Sequence, residues 1–353
     1  MANAVREGFT AMRETGDGGQ MAEKYGIVIT TINYPTRGVA DISRGASKLD
    51  ARFVLIGDQK SPADFQQEGA LYLDLDAQRK SGFRYAELAP ARHYARKNIG
   101  YLALIRDGVS VLLETDDDNI PCAEFWTPRK STVPARLVTT PDWVNVYAYY
   151  ASGVVWPRGF PLDRINQPPP AWSELASEEV YCPIQQGLAD ENPDVDAIYR
   201  LVLPLPMNFR QEAPVALRGA WCPFNSQNTT WYREAFPLLY LPYYCSFRMT
   251  DIWRSFVAQR IAYLNAWGIL FHSATVIQER NEHDLLRDFE EEVPGYLNND
   301  RIRQALEEID LRSGPEHVAA AMRAAYERLV ALNFIGPQEL PLLDAWLEDL
   351  SGL

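Results

Sequence analysis

Three consecutive aspartates, Asp116, Asp117 and Asp118, are the most distinctive group of chemically active side chains in the sequence. They follow directly on residues 109–115, an apolar run that is typical of a buried strand. Carboxylates this close together repel one another, and a divalent cation is the simplest way to balance their charge. We predict that Asp116 and Asp118 bind Mn²⁺ or Mg²⁺, because both cations accept carboxylate oxygens. The alternative is a solvated acidic turn that caps the next helix.

A second polar group, Arg96, Lys97 and Asn98, precedes the triplet near the expected start of a helix. Two positive charges there, together with the free N–H groups of the first helical turn, favour phosphate. The Asn98 amide is suited to a base or ribose. Alone, this group is typical of an ordinary surface, but together with a cation site it predicts a nucleoside-diphosphate site. We expect Arg96 and Lys97 on the rim of a cleft rather than in the core.

These residues lie among elements that alternate along the chain. Apolar runs predict strands at residues 25–32, 52–57, 70–73 and 109–115, with helices at 36–48 and 93–107. This βαβ order predicts a parallel α/β sheet over residues 25–120. Asp58 follows the second strand, at the edge where α/β proteins hold a base or ribose.

The composition changes after residue 120. Residues 121–250 are rich in Pro, Trp and Tyr, with short strand-like runs at 136–139, 199–203 and 217–221. Residues 250–264 show a helical pattern, and the chain from residue 298 onward is expected to be helical. We therefore expect an α/β domain at residues 25–295 and a C-terminal helical subdomain at residues 296–353.

The composition also excludes several classes of protein. The 353 residues include 34 Lys and Arg against 47 Asp and Glu, and this net charge of −13 opposes binding to nucleic acid or anionic membranes. No apolar run reaches the roughly 18 residues that a membrane-spanning helix needs. Residues 1–24 lack the apolar stretch of a secretory signal, and we expect a flexible leader there. Four scattered cysteines without a CxxC pair fit reduced thiols, so we expect a cytoplasmic protein.

Several segments resemble the STELLO-like family, formerly a domain of unknown function, which is similar to sugar-nucleotide-dependent glycosyltransferases of the GT-A type with a DxD metal motif. The segments that carry the resemblance are residues 29–35, 56–58, 94–101 and 114–119. The resemblance covers about residues 25–295 and is most specific between residues 94 and 119. The transmembrane anchor of the plant STELLO pattern is not expected in this chain, so a Golgi role is not carried over.

The resemblance implies a fold and a nucleotide site. The fold is GT-A-like, and therefore Rossmann-like: a mixed, mostly parallel sheet flanked by helices, with a C-terminal helical extension. Thr31, Asn33 and Asp117 fall on segments that resemble the family and would bind the nucleotide with the groups named above.

Three later residues gain a role from the same resemblance. Asp251, at the start of a helix, would be the catalytic base for an acceptor hydroxyl, and its alternative role is a helix cap. His283 would be a third metal ligand taken from a C-terminal loop, with a surface residue as the alternative, and imidazole suits Mn²⁺ better than Mg²⁺. Arg280 would bind the diphosphate.

The implied function is a metal-dependent glycosyltransferase that moves a sugar from a nucleoside-diphosphate sugar, here a UDP-sugar, to a glycan or other hydroxyl acceptor. A catalytically silent nucleotide-binding scaffold and a UDP-sugar mutase stay open as alternatives. The mutase is considered because residues 115–118 and 156–161 also resemble the reversibly glycosylated polypeptides, which are UDP-arabinopyranose mutases. The costly acidic triplet favours an enzyme over a scaffold. A homodimer is one option for the assembly.

Overall fold

The structure is a computed structural model that describes residues 23–281 and 283–353. The predicted flexible leader at residues 1–24 therefore lies almost wholly outside the described residues.

One mixed sheet forms the centre of the described chain and contains eleven strands. They are β1 (Tyr25–Thr30), β2 (Arg52–Ile56), β3 (Leu71–Leu73), β4 (Val111–Thr115), β5 (Asn119–Pro121), β6 (Thr132–Val138), β7 (Ala176–Tyr181), β8 (Ile184–Asp190), β9 (Val215–Leu217), β10 (Asn228–Tyr232) and β11 (Ile269–Gln278). Their order is β3-β2-β1-β4-β10-β8-β11-β9-β6-β7, and β5 pairs with β11. The predicted α/β class is confirmed.

Strand direction divides this sheet into two halves. β3, β2, β1 and β4 pair in parallel, as the alternation of apolar runs predicts. β1 and β4 are buried along nearly their whole length, which explains their unbroken apolar sequences. β10 pairs antiparallel with both β4 and β8, and the far half of the sheet mixes both directions.

Helices flank the sheet and continue to the C-terminus. They are α1 (Arg37–Gly45), α2 (Leu75–Arg79), α3 (Arg84–Leu88), α4 (Lys97–Arg106), α5 (Tyr147–Tyr150), α6 (Ala197–Val202), α7 (Thr250–Leu264), α8 (Leu285–Glu307), α9 (Val318–Ala331) and α10 (Glu339–Ser351). The predicted helix at residues 250–264 matches α7. Among the described residues, no helix combines the length and the apolar character needed to cross a bilayer.

Two of the short strand predictions are wrong. Residues 199–203 lie mostly in α6, because the Asp196 carboxylate accepts a hydrogen bond from the backbone N–H of Tyr199 (2.7 Å) and caps a helix there. The strand expected at 217–221 ends at Leu217, and Gly219 then turns the chain with a φ of 100°.

The C-terminal helices share the core of the sheet. Met322 and Trp346, from α9 and α10, belong to the same buried cluster as Val28 of β1 and Trp231 of β10. The predicted boundary between residues 295 and 296 falls inside α8, which runs through it without a break. The described chain therefore has a continuous core on both sides of that boundary.

Candidate functional site

A cavity of about 830 Å³ opens at the carboxyl ends of β1 and β2, and Asp117, which follows β4, also lines it. Five Asp or Glu and five Lys or Arg side chains line it, so its walls carry both signs of charge. This is the edge at which α/β folds bind ligands.

Asp117 joins the ends of β1 and β4. Its carboxylate accepts hydrogen bonds from the Thr31 hydroxyl (2.7 Å) and from the Asn33 side-chain amide (3.1 Å). The three residues predicted to bind nucleotide at these strand ends are therefore in direct contact. Thr31, Asn33 and Asp117 all line the large cavity.

Asp118 faces the end of β11. Its two carboxylate oxygens accept from the Gln278 side-chain amide at 3.2 and 3.3 Å, and one of them accepts from the Asn281 backbone N–H at 3.3 Å. Burial and the Asp117 carboxylate raise the pKa of Asp118 above its usual range. The sequence prediction missed Asn281, although it lies in a dense polar run after β11.

Asp116 lines a different cavity from Asp117. Its carboxylate pairs with the Lys97 ammonium at 3.0 Å and lines a second cavity of about 130 Å³. Burial raises the pKa of Asp116 to about 7, with a further contribution from Asp118, while Lys97 acts in the opposite direction. Asp117 therefore lines the large cavity and Asp116 the small one, while Asp118 lines neither.

The expectation that Arg96 and Lys97 lie on a rim is wrong. Arg96 is only 4% exposed and donates to the Gln78 side chain (2.7 Å) and to the Ala89 carbonyl (2.8 Å). Lys97 is fully buried. Eight of the ten residues of α4 are buried, so the start of this helix lies inside the molecule rather than at its surface.

Asn98 does not line either cavity. Its side-chain amide donates to the Leu241 carbonyl and the Tyr85 hydroxyl, both at 2.9 Å, and accepts from the Leu241 N–H at 2.9 Å. Both the nitrogen and the oxygen of this amide make hydrogen bonds in the core, and this placement opposes the predicted contact with a base or ribose.

Asp58 lines the large cavity, but its carboxylate holds the protein backbone. It accepts from the N–H groups of Arg92 (2.9 Å) and His93 (2.8 Å). Arg92 has a φ of 67°, a conformation that few non-glycine residues adopt. Asp58 therefore fixes the loop that forms one wall of the cavity.

Asp251 is buried and lines the second cavity. It pairs with Arg158 through both carboxylate oxygens (3.1 and 3.0 Å) and accepts from the Ser226 N–H (3.1 Å). Burial alone would raise its pKa, but the Arg158 guanidinium holds the pKa of Asp251 well below the usual range. A general base works best with a pKa near the working pH, so this ion pair opposes the predicted role of Asp251 as the catalytic base.

His283 and Arg280 both contact Asp288 rather than the triplet. The His283 imidazole lies 3.2 Å from the Asp288 carboxylate, and the Arg280 guanidinium donates to it at 2.7 Å. Burial favours the neutral acid, but His283, Arg248 and Arg280 together lower the pKa of Asp288 to about 2. Across residues 23–281 and 283–353, no three His, Cys, Asp or Glu side chains form a group able to hold a metal ion. The metal ligands stay a prediction.

Three residues at the junction of the two cavities were missed. Tyr94, Phe247 and Arg248 line both the large and the small cavity. The Tyr94 and Phe247 rings meet edge to face at 5.0 Å, and His93 stacks on Tyr94 at 5.2 Å. Arg248 directly precedes α7, so its position three residues before Asp251 was the available signal.

The fold and the strand-end cavity define the class: an α/β protein with a cavity at the carboxyl ends of parallel strands. Comparisons with known proteins show which family the chain resembles. Residues 248–353 match the family model of STELLO glycosyltransferases. The "Probable glycosyltransferase STELLO2" of Arabidopsis thaliana is 27% identical over 92% of this chain, and "Probable glycosyltransferase STELLO1" is 26% identical over the same share. The predicted resemblance to the STELLO glycosyltransferases is confirmed.

The two Arabidopsis proteins are much longer than this chain, which spans 44% of the length of each. Among solved structures, the "Crystal Structure of a Mycobacterial Protein" aligns with 80% of this chain and 74% of that chain. Its sequence identity is 10% and its TM-score is 0.37, a likeness too low to support any further statement.

Proposed function

We propose that this chain is a glycosyltransferase that binds the nucleoside diphosphate of a sugar donor in the large cavity. The observation that carries the proposal is the contact of Thr31 and Asn33 with Asp117 at the ends of β1 and β4, beside that cavity. Its volume of about 830 Å³ lies within the roughly 300–1,000 Å³ of most small-molecule sites. Similarity to the STELLO glycosyltransferases supports sugar transfer as the reaction. The donor we infer is a UDP-sugar, and the acceptor is a glycan or a small hydroxyl compound.

Arg248 is the best-placed cation for the diphosphate because it lines both cavities. Its guanidinium donates to Glu292 through Nε (3.1 Å) and Nη2 (2.9 Å), which fixes the side chain, and Nη1 makes no hydrogen bond within the described residues. Arg280 would join it only by leaving its contact with Asp288. Lys97 acts indirectly in this proposal, because its buried ammonium sets the position of the Asp116 carboxylate.

Asp116 and Asp118 would hold the divalent cation that we propose. Within the described residues, the Asp118 oxygens accept only from neutral amides at 3.2 Å or more, and a cation can displace such weak contacts. Asp116 has one oxygen on Lys97 and the other oxygen free of a hydrogen bond within the described chain. Both carboxylates therefore fit a hard cation. When bound, such a cation stabilises the charge of the leaving diphosphate.

One observation favours the catalytically silent scaffold as a second candidate. Asp251, the expected base, is held as an ion by Arg158 in the wall of the small cavity. A scaffold would bind the nucleotide and release no product, whereas a glycosyltransferase would form one. Product analysis by mass spectrometry, with a UDP-sugar and a panel of saccharide acceptors, separates the two.

The test of the binding site is a calorimetric titration of UDP, GDP and CDP with Mn²⁺ and, separately, with EDTA. We expect one of these nucleotides, UDP, to bind more tightly than the others and to need Mn²⁺. Asp118→Asn keeps the size of the side chain and removes its charge, so UDP affinity should fall at least about tenfold, or 1.4 kcal/mol.

The matched control for this titration is Asp163→Asn, because the Asp163 side chain is 80% exposed and lines neither cavity. That variant should bind UDP as the original chain does. Equal binding of all three nucleotides in EDTA, or no binding with Mn²⁺, would show that the site is assigned wrongly.

A further inference from the structure

The small cavity lies directly against the large one. Besides the three shared residues Tyr94, Phe247 and Arg248, its walls are Asp116, Arg158, Ser226 and Asp251. We propose that this cavity binds the sugar ring of the donor, an inference that rests on the proposed glycosyltransferase function. The sequence predicted no role for Ser226, Phe247 or Tyr94.

The small cavity has room for the ring atoms of a sugar but not for all its substituents, which would extend into the adjoining large cavity. An apolar cavity of about 150 Å³ in a protein core holds one benzene molecule. The small cavity measures about 130 Å³. Since Arg248 lines both cavities, a donor with its nucleoside in the large cavity and its sugar in the small one would place its diphosphate beside this guanidinium.

The polar walls of the small cavity offer an acceptor for sugar hydroxyls. One oxygen of the Asp116 carboxylate pairs with Lys97, and the Asp116 side chain keeps 37% of its surface exposed. The other oxygen has no hydrogen bond from any described residue, so beside the proposed cation it keeps a second lone pair that can accept a charge-assisted hydrogen bond from a hydroxyl. The Ser226 hydroxyl makes only a long contact of 3.4 Å with Asp251 and is available to exchange it.

Arg158, one of the two cationic side chains that line the small cavity, is already neutralised by carboxylates. Arg158 donates to Asp194 at 2.7 and 2.8 Å, to both oxygens of Asp251, and to the Arg248 carbonyl. It therefore has no donor left for a carboxylate on the ligand. The cavity favours an uncharged sugar, such as a hexose or pentose, over a uronic acid.

The apolar wall is aromatic. The Phe247 ring is 43% exposed and packs edge to face on Tyr94, which leaves an apolar surface at the mouth of the small cavity. The C–H face of a sugar ring can pack on such a surface while its hydroxyls turn to Asp116 and Ser226.

The test compares the affinity of the chain for UDP with its affinity for UDP-sugars. Titrations use UDP, a set of uncharged UDP-hexoses and UDP-pentoses, and UDP-glucuronic acid, all with Mn²⁺. We expect one uncharged UDP-sugar to bind about tenfold more tightly than UDP, and UDP-glucuronic acid to gain nothing over UDP. Ser226→Leu fills the small cavity, so it should remove the gain and leave the Kd of UDP within about threefold.

A second variant keeps the test decisive if Ser226→Leu does not fold. Phe247→Ala removes a half-exposed ring that both cavities share, so it should weaken the favoured UDP-sugar about fivefold more than it weakens UDP. Phe289→Ala is the matched control, because Phe289 is also partly exposed and lines neither cavity.

The outcomes separate this inference from the function on which it rests. A chain that does not bind UDP at all overturns the proposed function and the sugar site together. If UDP binds and the gain from the sugar is unchanged in both Ser226→Leu and Phe247→Ala, the sugar site alone is wrong. Binding of a free methyl glycoside without nucleotide, lost in Ser226→Leu, would assign the cavity to the acceptor and overturn the inference as well.

Discussion

Each aspartate of the triplet is held by a different part of the chain, and the partner decides what the carboxylate can do. Asp117 contacts the residues that follow β1, Asp118 contacts the end of β11, and Asp116 pairs with Lys97. Only the Asp116 partner is a fixed cation, and that cation is fully buried. The Lys97 ammonium therefore belongs to the structure of the site, where its loss is costly.

Lys97→Ala tests this structural role. The Lys97 ammonium donates to Asp116, to the Thr115 carbonyl (3.1 Å) and to the Ser226 carbonyl (3.4 Å), and the variant leaves these acceptors unpaired in the interior. We expect the free energy of unfolding to fall by about 1–3 kcal/mol. Chemical denaturation measures it, with Lys60→Ala as the control, because Lys60 is an exposed lysine of the same cavity. Equal stability of the two variants would return Lys97 to the predicted rim.

His93 gives the fold a pH dependence that can be measured separately. Burial lowers its pKa from 6.5 to about 4, against the opposing charge of Asp58. Between these pH values the unfolded chain takes up a proton that the folded chain does not, so stability falls as the pH decreases from about 6.5 to 4. The slope from this one group is at most about 1.4 kcal/mol per pH unit.

The matched variant for this effect is His93→Asn, whose side-chain oxygen can replace the ring nitrogen that accepts from the Ala95 N–H (3.0 Å). Denaturation curves between pH 7 and pH 4.5 should show the original chain losing stability relative to the variant. Parallel curves over this range would mean that His93 is not buried as a neutral ring.

At the scale of elements, α4 lies unusually close to β1 and β2. A Cβ atom added to Gly100 would stand 2.5 Å from Val28 Cγ2 and 2.9 Å from Ile56 Cγ1. Alanine would gain roughly 1 kcal/mol of helix propensity, but overpacking of a tight core costs typically about 1–3 kcal/mol. The cost of overpacking exceeds the gain in helix propensity over most of this range. The close approach of α4 to the sheet therefore favours glycine over alanine at position 100.

Gly100→Ala is therefore expected to lower the free energy of unfolding by up to about 2 kcal/mol net, as measured by urea denaturation. Gly153→Ala is the control, since no atom lies within 4 Å of the Cβ position there. A stabilised Gly100→Ala variant would show that α4 has room to move away from the sheet.

Most elements before residue 120 could be predicted because each has a clear period and a clear stop, but the short helices α2 and α3 were missed. Thr31, Asn33 and Asp117 then lie at the edge where these predicted strands end. The burial of Arg96 and Asn98 could not be predicted from the sequence. Their polar groups are satisfied by hydrogen bonds to Gln78 and Leu241, which are distant in sequence. After residue 120 the strands β6 to β10 have three to seven residues each and lie between loops. A sequence pattern of so few residues does not distinguish a short strand from a short helix such as α6.

At the scale of the whole molecule, one core connects the sheet and the C-terminal helices. Trp346 of α10 is fully buried, donates to the Pro237 carbonyl (3.0 Å) and packs its ring edge against Tyr85 and Tyr101. Glu339, at the start of the same helix, accepts from the backbone N–H of Tyr243 at 2.9 Å. The sequence predicted these helices but not that they complete the core.

This shared core predicts that the described chain unfolds as one cooperative unit. Trp346→Ala should cost about 3–5 kcal/mol and shift the whole transition, because a large buried ring is lost. Differential scanning calorimetry, with circular dichroism as a second probe, measures it. Two separate transitions, of which only the smaller one responds to the substitution, would instead support an independent subdomain at residues 296–353.

The most direct measurement of the central claim is a crystal structure of the chain with UDP and Mn²⁺. The account predicts nucleotide density in the large cavity at the ends of β1 and β2, in contact with Thr31, Asn33 or Asp117, and with the diphosphate beside Arg248. Nucleotide bound elsewhere, or a structure that leaves this cavity empty at saturating UDP, would contradict it.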